Sequence, residues 1–297
     1  MIMRSARNLK WQQAIKMLVT SEQREAFERD GYFVTDKLFT DELLDSTADD
    51  FERLRNIMDA ERAEDGGDSI NIVGRNFIWD MHDKSSAARQ LAVGETMSQL
   101  AMELIGDDVR LYWDQAVTKA PRTGGKFDWH QDSGYYPIVP EEYLTIWLPL
   151  HDVNEHNGTL AVMPGSHRWG LQEHKKAEDS PDLVGYDGDD PGVTIDVAKG
   201  RAIAMSSMCL HRSGPNQSDQ ARLAYVIQFC PSFAIDPNTG GPRGAWIEVA
   251  RGGEVVCDQL PEGELGELGV GNSTKQQVTG INARKSGKKP RPLGGRV

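Results

Sequence analysis

Residues 201–230, RAIAMSSMCLHRSGPNQSDQARLAYVIQFC, hold two short apolar runs separated by a polar segment rich in turn-forming residues. Runs of the same kind recur from residue 109 onwards, among them VRLYWDQAVTKA, YLTIWLPLHDV and GTLAVMP, with Gly, Pro, Asn and Asp clusters between them. Many short strands punctuated by turn residues are typical of a sandwich or barrel, and the double-sheet jelly roll is the natural candidate. We therefore predict a mainly β fold with flanking helices and a double-stranded β-helix (jelly-roll, cupin-like) core.

The part of the chain before this β-rich segment is predicted to be helical. Thr20 and Gln23 have the spacing of a capping box, which marks the start of a helix. Apolar residues recur at helical spacing in 41–58 and again in 95–105, where Gly106 provides a stop. Such stripes indicate helices that pack on a core rather than ligand-binding surfaces.

The composition divides the chain into three parts. We expect residues 1–108 to form an N-terminal helical region that packs on the core, and residues 109–250 to form the jelly-roll catalytic core. Residues 251–297 form a C-terminal extension, whose basic tail contains little that is apolar and is therefore expected to be flexible. A chain of 297 residues is long enough for one such domain with additions.

Charge and cysteine content narrow the range of partners. The net charge is −12, and residues 275–297 hold seven basic residues and no acid, which leaves −19 on residues 1–274. Residues 1–274 are acidic enough to repel a phosphate backbone. We therefore expect a small-molecule substrate and no nucleic-acid partner. Three cysteines without a CxxC pair favour a reducing compartment, and no apolar run approaches the length of a membrane span. We predict a cytoplasmic protein without a membrane partner and make no prediction of its oligomeric state.

A histidine and an aspartate two residues apart form half of a candidate metal site. On an extended strand, residues i and i+2 point to the same face, so His130 and Asp132 converge on one point. A second histidine would complete a two-histidine, one-carboxylate triad, which leaves open positions on non-heme iron(II). The later histidines in polar or turn-like surroundings are His151, His156, His167 and His174. His211 follows directly on a buried-looking strand, so it is our candidate for the third ligand.

An arginine eleven residues after His211 opens an apolar strand. Arg222 begins the run RLAYVIQFC, where burying a lone charge would be very costly, so an anionic partner is expected. A guanidinium group can hold a carboxylate through two parallel hydrogen bonds. The alternative is an arginine that lies on the surface at a strand end.

In their order and spacing, these elements resemble the phytanoyl-CoA dioxygenase family of iron(II)- and 2-oxoglutarate-dependent oxygenases. The resemblance covers roughly residues 20–235. The matching elements are, in chain order, Phe27-x3-Gly31-Tyr32, Trp129-His130-Gln131-Asp132, Leu144-Thr145-Ile146-Trp147, Asn157-Gly158-Thr159-Leu160, Pro164-Gly165-Ser166-His167, His211-x-Ser213-Gly214-Pro215-Asn216 and Arg222. Each element is common by itself, but all of them in this order would rarely arise by chance.

The resemblance implies a set of cofactors and the residues that hold them. His130, Asp132 and His211 would ligate Fe(II). Arg222, helped by the hydroxyl of Ser213, would bind the distal carboxylate of the cosubstrate 2-oxoglutarate. Reaction of 2-oxoglutarate with O2 at the metal would then release succinate and CO2.

The resemblance also implies roles for three further residues and favours one type of reaction. Trp147 would line the cosubstrate pocket, with core packing as the alternative, and Gln115 and Lys119 would face the pocket. Related halogenases carry a small residue in place of the carboxylate at Asp132. Its presence here favours hydroxylation, or another oxidation, over halogenation.

Two segments rich in aromatic residues are candidates for contact with the substrate. They span residues 71–82 and 133–139, and the side chains of interest are Arg75, Phe77, Trp79, His82, Tyr135 and Tyr136. Aromatic side chains with an arginine suit a mid-sized organic molecule that has an anionic or polar group. The alternative is a lid packed on its own aromatic residues. The family name does not establish an acyl thioester as substrate, because one fold serves many functions.

The sequence thus predicts a dioxygenase that oxidises, and by preference hydroxylates, a small organic molecule. Three other functions stay open. The first is a nucleic-acid or protein demethylase of the same superfamily, against which the acidic body argues. The second is a cupin-type metal-dependent isomerase or small-molecule binding protein, in which Arg222 would have no task. The third is a silent member that only binds 2-oxoglutarate, against which the intact triad argues.

Overall fold

The computed structural model of the protein describes residues 17–65, 74–178, 180, 182–245 and 247–256. The basic tail that is predicted to be flexible, and most of the C-terminal extension, lie outside these residues. Within the described ranges, no helix combines the length and the apolar character needed to cross a membrane.

The α-helices of the described residues are α1 (Ser21–Asp30), α2 (Asp41–Asp65), α3 (Ser86–Val93) and α4 (Glu95–Ile105). The predicted capping box of α1 is confirmed. The Gln23 N–H donates to the Thr20 hydroxyl at 3.2 Å, and the Thr20 N–H donates to the Gln23 side chain at 3.0 Å. α4 has the predicted bounds, whereas α2 continues beyond its predicted end at residue 58. α3 was not predicted, although Ser85 caps it by accepting from the Ala88 N–H at 3.0 Å.

The strands of the described residues are, in chain order, β1 (Tyr32–Val34), β2 (Arg75–Trp79), β3 (Val109–Lys119), β4 (Phe127–His130), β5 (Leu144–Pro149), β6 (Leu160–Val162), β7 (Lys175–Lys176), β8 (Leu183–Val184), β9 (Val193–Thr194), β10 (Ile203–Ser206), β11 (His211–Ser213), β12 (Arg222–Pro231), β13 (Ile247–Arg251) and β14 (Glu254–Val255). Short 3-10 helices span Met81–Asp83, Asp132–Gly134, Glu155–Asn157 and Ser166–Trp169.

Two antiparallel sheets form the body of the fold. In the described part of the chain, the main sheet has the order β1-β10-β5-β12-β3-β13-β14, with β2 also paired to β3, and the smaller sheet has the order β4-β11-β6-β9. Side chains from both sheets pack together, as Trp147 and Ile203 of the main sheet do with Leu160 and Val162 of the smaller one. This double-sheet arrangement confirms the predicted jelly roll.

The main sheet takes strands from both sides of residue 108, so the region predicted to be mainly helical also contributes strands to the core. β1 pairs with β10, and β2 pairs with β3 from Arg75 opposite Lys119 to Trp79 opposite Gln115. β2, with the sequence RNFIW, is short and has no clear polar–apolar alternation. Such a strand is held by its partner β3, which lies far away in sequence, so local patterns do not reveal it.

Alternation along β12 separates a helix-covered face from the face that holds the site. Tyr225 and Phe229 belong to the core under the helices, where the Tyr225 ring packs edge-on against Phe51 of α2. Arg222 and Val226 lie on the other face, between the sheets, where they line a cavity. Because successive side chains of a strand point to opposite faces, one strand serves both the core and the site.

Candidate active site

The two predicted histidine ligands lie side by side on neighbouring strands of the smaller sheet. His130 ends β4 and His211 begins β11, and the two are direct partners across the strands. The His130 Nδ1 lies 2.7 Å from the Asp128 carbonyl, and the His211 Nδ1 lies 3.0 Å from the Cys209 carbonyl. A carbonyl only accepts hydrogen bonds, so both Nδ1 atoms carry the proton and both Nε2 atoms keep a free lone pair.

Asp132 completes the triad from the start of a 3-10 helix. Its Oδ1 lies 3.8 Å from the His130 Nε2 and 3.6 Å from the His211 Nε2. One ligand atom from each of the three residues lies within 4.8 Å of the others. Two imidazole nitrogens and one carboxylate oxygen are the donor set of non-heme iron(II) sites, so the residues fit this metal.

The electrostatics of the triad favour metal binding over protonation. Burial, and then the neighbouring His211, lower the pKa of His130 to about 3. The imidazole is therefore neutral at pH 7, which is the form that ligates a metal.

A half-buried histidine fastens the segment between the metal ligands to a neighbouring loop. From its polar surroundings in the sequence, His174 is expected to lie in a loop. Its Nε2 accepts from the backbone N–H of Gln131 at 2.9 Å, and its Nδ1 donates to the Gln172 carbonyl at 2.9 Å. The Gln131 side chain donates to the Met208 carbonyl at 2.6 Å and accepts from the Gln172 N–H at 2.7 Å. These bonds fix the backbone and the side chain of Gln131, and they thereby hold its neighbours His130 and Asp132 in place.

The triad opens into a cavity between the two sheets. Of the predicted residues, Gln115, Trp147, Ser213, Arg222 and Phe77 line it. The cavity thus brings the metal ligands together with an arginine and apolar side chains, the mixed lining that is typical of small-molecule sites.

Arg222 is a buried cation in this cavity. It is 1% exposed, and its Nε has no hydrogen-bond partner among the described residues. Its guanidinium lies 5.5 Å from the centre of the Trp147 ring, and its Nη1 is 3.5 Å from the Val117 carbonyl. Burial lowers the pKa of Arg222 to about 9, which still leaves it charged at pH 7. A buried, uncompensated guanidinium in a cavity fits the distal carboxylate of 2-oxoglutarate.

Lys119 reaches the cavity through Ser213. Its Nζ donates to the Ser213 hydroxyl at 2.7 Å and also contacts the Gly214 carbonyl. Burial, followed by the positive charges of Arg222 and Arg75, lowers the pKa of Lys119 to about 5. Lys119 is therefore neutral at pH 7 in the protein without ligands, and a bound anion would favour its protonation.

Three of the predicted substrate residues lie around the cavity. Phe77 lines it and packs edge-on against Phe127, which also lines it. Arg75 is buried, lies 4.1 Å from the centre of the Phe127 ring and forms an ion pair with Asp182 at 2.7 Å. The ring of Tyr135 packs edge-on against His130 at 5.6 Å.

The other three candidates are not among the side chains that line the cavity. The side chain of His82 contacts Asp114. Asp114 also accepts from the hydroxyl of Tyr225, which belongs to the core under the helices. Tyr136 lies under the guanidinium of Arg243, 4.2 Å from the ring centre. Trp79 is half-buried and is not among the side chains that line the cavity. A 3-10 helix after β2 turns His82 away from the cavity, which a linear reading of residues 71–82 could not predict.

Thr145 and Gln228 are functional candidates that the sequence analysis missed. The Thr145 hydroxyl donates to the Asp132 Oδ2 at 2.6 Å, and the Gln228 amide donates to the same oxygen at 3.0 Å. Thr145 lies two residues from Trp147 on β5, so strand alternation could have placed both on the same face. Gln228 is a polar residue inside an apolar strand, which is a similar signal.

Comparison with known proteins identifies the family. The sequence profile of the phytanoyl-CoA dioxygenase (PhyH) family matches residues 27–224, more than half of the chain. This chain belongs to the phytanoyl-CoA dioxygenase family.

Individual relatives of the family are distant. A probable α-ketoglutarate-dependent hypophosphite dioxygenase of Stutzerimonas stutzeri is 24% identical, over 57% of this chain and 60% of the relative. The peroxisomal phytanoyl-CoA dioxygenase of Mus musculus is also 24% identical, over 71% of this chain and 68% of the relative. The chain thus spans less than two thirds of the first relative's length. The crystal structure of EvdO2 from Micromonospora carbonacea var. aurantiaca with 2-oxoglutarate is similar in fold, with a TM-score of 0.58 and 20% identity over 75% of this chain and 97% of that chain.

Membership in the phytanoyl-CoA dioxygenase family confirms the predicted family of iron(II)- and 2-oxoglutarate-dependent oxygenases. The role of each residue in this chain, and the molecule that it oxidises, stay predictions.

Proposed function

We propose that the protein is an iron(II)- and 2-oxoglutarate-dependent oxygenase that hydroxylates a mid-sized organic molecule with an anionic or polar group. The observation that carries this proposal is the pairing of two unsatisfied features in one cavity. One is a set of three converging ligand atoms on His130, Asp132 and His211. The other is the buried guanidinium of Arg222, whose Nε has no partner among the described residues.

The protein's own residues bind and orient the reactants. His130, Asp132 and His211 would hold the metal, which when bound supplies the activation of O2. Arg222 and the Ser213 hydroxyl would hold the distal carboxylate of 2-oxoglutarate through charge-assisted hydrogen bonds. In the overall reaction, the substrate C–H, O2 and 2-oxoglutarate become the substrate C–OH, succinate and CO2.

Apolar side chains around the cosubstrate would exclude water. Trp147, Leu160, Met205 and Val226 line the cavity together with Arg222. A water-poor pocket strengthens the hydrogen bonds to the carboxylate and protects reactive species from side reactions.

The substrate is proposed to lie on the side of Phe77 and Phe127. Both rings line the cavity, and the Arg75 guanidinium stacks on Phe127. Aromatic walls with a nearby cation suit an organic molecule that has a polar or anionic end. Asp182, which forms an ion pair with Arg75, directly precedes β8 in the hairpin of β7 and β8.

We also propose that the protein acts in the cytoplasm. Cys209 and Cys230 are both buried and free, which supports a reducing compartment.

The proposed activity is tested by succinate release from the iron-loaded protein in air. Without a substrate, we expect slow formation of succinate that depends on Fe(II) and O2, and faster formation when a small molecule of the right class is added. Asp132→Ala should release none, because it removes a metal ligand. Unchanged 2-oxoglutarate after prolonged incubation with iron-loaded, folded protein would contradict the proposal.

A further inference from the structure

The metal-binding carboxylate is clamped on one oxygen by two side chains of the main sheet. Thr145 of β5 and Gln228 of β12 are direct partners across neighbouring antiparallel strands. Side chains of such a pair project to the same face and touch. Here they meet at Asp132, and the Gln228 amide also donates to the Thr145 hydroxyl at 3.2 Å.

The clamp formed by Thr145 and Gln228 occupies the hydrogen-bond acceptor sites of one carboxylate oxygen of Asp132. The Asp132 Oδ2 accepts from the Thr145 hydroxyl at 2.6 Å and from the Gln228 amide at 3.0 Å. Both donors are buried, with 0% and 8% exposure. A carboxylate oxygen offers about two lone-pair sites, so Oδ2 has none left for a metal. The other oxygen, Oδ1, faces the Nε2 atoms of both histidines.

We infer that Thr145 and Gln228 are positioning residues that restrict Asp132 to a single metal–oxygen bond and so keep a coordination position open for 2-oxoglutarate. This inference rests on the proposed function. A six-coordinate metal held by these three residues would have three positions left, enough for a cosubstrate bound through two atoms and for O2. A carboxylate that bound through both oxygens would occupy one of these three positions.

Removing the clamp is expected to affect the cosubstrate more than the metal. In Thr145→Val/Gln228→Leu, Oδ2 loses both donors, and a bound metal becomes its best remaining partner. The second metal–oxygen bond compensates for the lost hydrogen bonds, so metal affinity is retained while cosubstrate chelation is impeded. If the clamp only oriented Asp132, the metal itself would bind about 10–100-fold more weakly.

Cobalt(II) and 2-oxoglutarate separate these two roles without turnover. Co(II) is titrated into the metal-free protein by calorimetry, and 2-oxoglutarate is then titrated into the Co(II) protein by its visible absorption. For the double variant we expect the Kd of 2-oxoglutarate to rise about tenfold or more, and the Kd of Co(II) to stay within about threefold. The single variant Thr145→Ser, with Gln228 unchanged, keeps a hydroxyl and should therefore retain most of the wild-type affinity for 2-oxoglutarate. Thr118→Val, at a buried threonine of β3, is the control for loss of a hydroxyl elsewhere in the sheet.

Two results would overturn the inference. One is a Kd of 2-oxoglutarate that stays within about threefold of wild type, and the other is a fall in Co(II) affinity of about tenfold or more. If the double variant does not fold, Thr145→Val alone decides: a rise of about fivefold or more in the Kd of 2-oxoglutarate supports the inference, and an unchanged Kd overturns it. Failure of the wild-type Co(II) protein to bind 2-oxoglutarate would instead overturn the proposed function, and the inference with it.

Discussion

Two clusters of histidine and aspartate lie on opposite faces of the main sheet and differ in how their hydrogen bonds are satisfied. We call His130, Asp132 and His211 the metal cluster, and Asp80, His82 and Asp114 the His82 cluster. The residues of each cluster offer donor atoms within 4.8 Å of one another. By distance alone, both are candidates for a metal ion.

Hydrogen bonding distinguishes the two clusters. In the metal cluster the histidines donate from Nδ1 to backbone carbonyls, so the Nε2 atoms and one carboxylate oxygen are left for a ligand. In the His82 cluster the imidazole bonds directly to Asp114, which also accepts from the His82 N–H at 3.0 Å and from the Tyr225 hydroxyl at 2.7 Å. A carboxylate satisfied by its own protein ties the structure together. The lesson is that free lone pairs, and not proximity, identify a metal site.

The largest expected difference between the clusters is in metal binding. Asp132→Ala should weaken Co(II) or Fe(II) binding by more than about 100-fold, the upper range for losing a residue that merely supports a ligand. Asp114→Asn should still bind one metal ion per chain, because its carboxylate is occupied by protein donors. Calorimetric titration of the metal-free proteins measures both. If Asp114→Asn is folded but no longer binds the metal, the His82 cluster contributes to metal binding, which contradicts the distinction between the two clusters.

The second largest expected effect is the loss of 2-oxoglutarate affinity when Arg222 is replaced. Arg222 lies beside the metal cluster, and its Nε has no hydrogen-bond partner among the described residues. Arg222→Leu should cost about 2–5 kcal/mol of 2-oxoglutarate binding free energy, the usual cost of losing one partner of a buried charge pair. Metal affinity should not change. The cosubstrate-free variant should be no less stable than wild type, because an uncompensated buried charge is removed. Arg222→Lys keeps the charge without the bidentate geometry, so its affinity for 2-oxoglutarate should lie between those of wild type and Arg222→Leu. Unchanged cosubstrate affinity in Arg222→Leu would contradict this role.

A third test addresses the structural role of the His82 cluster. Asp114→Asn should lower the free energy of unfolding of the metal-free protein by about 2 kcal/mol, because buried hydrogen bonds to a charged group are lost. Burial alone would lower the pKa of His82, but the hydrogen bond and charge of Asp114 outweigh it and raise that pKa above 6.5. The contribution of the protonated His82–Asp114 pair to the free energy of unfolding is complete below pH 6.5 and is lost as the pH rises through the raised pKa of His82. Urea unfolding at several pH values should show this loss in wild type and much less of it in Asp114→Asn.

The smallest effect is a proton taken up with the cosubstrate. Lys119 has a pKa lowered to about 5 in the ligand-free protein, so it is neutral at pH 7. An anion held by Arg222 and Ser213 would favour the ammonium form, and binding should take up as much as about one proton. Cosubstrate affinity should therefore fall as the pH rises above 7. Calorimetry in two buffers of different ionisation enthalpy measures the uptake, which Lys119→Met should abolish. An enthalpy that is independent of the buffer in wild type would count against the role of Lys119.

The metal cluster was largely predictable from the sequence, whereas the His82 cluster was not. The convergence of His130 and Asp132 was predicted from strand alternation, although β4 ends at His130 and Asp132 begins a 3-10 helix. His211 was predicted from its place after an apolar strand, and the structure brings all three together. Arg222 was predictable because a charge inside an apolar strand requires a partner.

Non-local pairing explains what the sequence did not reveal. His82 was predicted to contact the substrate because it lies in an aromatic-rich segment with Arg75. The pairing of β2 with β3, which fixes where this segment runs, joins residues about 40 positions apart in the chain. The same holds for Thr145 and Gln228, whose meeting at Asp132 depends on the register between β5 and β12. Register between distant strands is a property of the whole sheet and leaves little trace in either strand alone.

Anaerobic titration of the metal-free protein with Fe(II) and then 2-oxoglutarate tests the central claim most directly. We predict a weak visible charge-transfer band at one iron and one cosubstrate per chain. The band should be absent in Asp132→Ala, should require far more 2-oxoglutarate in Arg222→Leu, and should be retained in Asp114→Asn. One iron bound per chain without any band on addition of 2-oxoglutarate would contradict the assignment of this cavity as the active site.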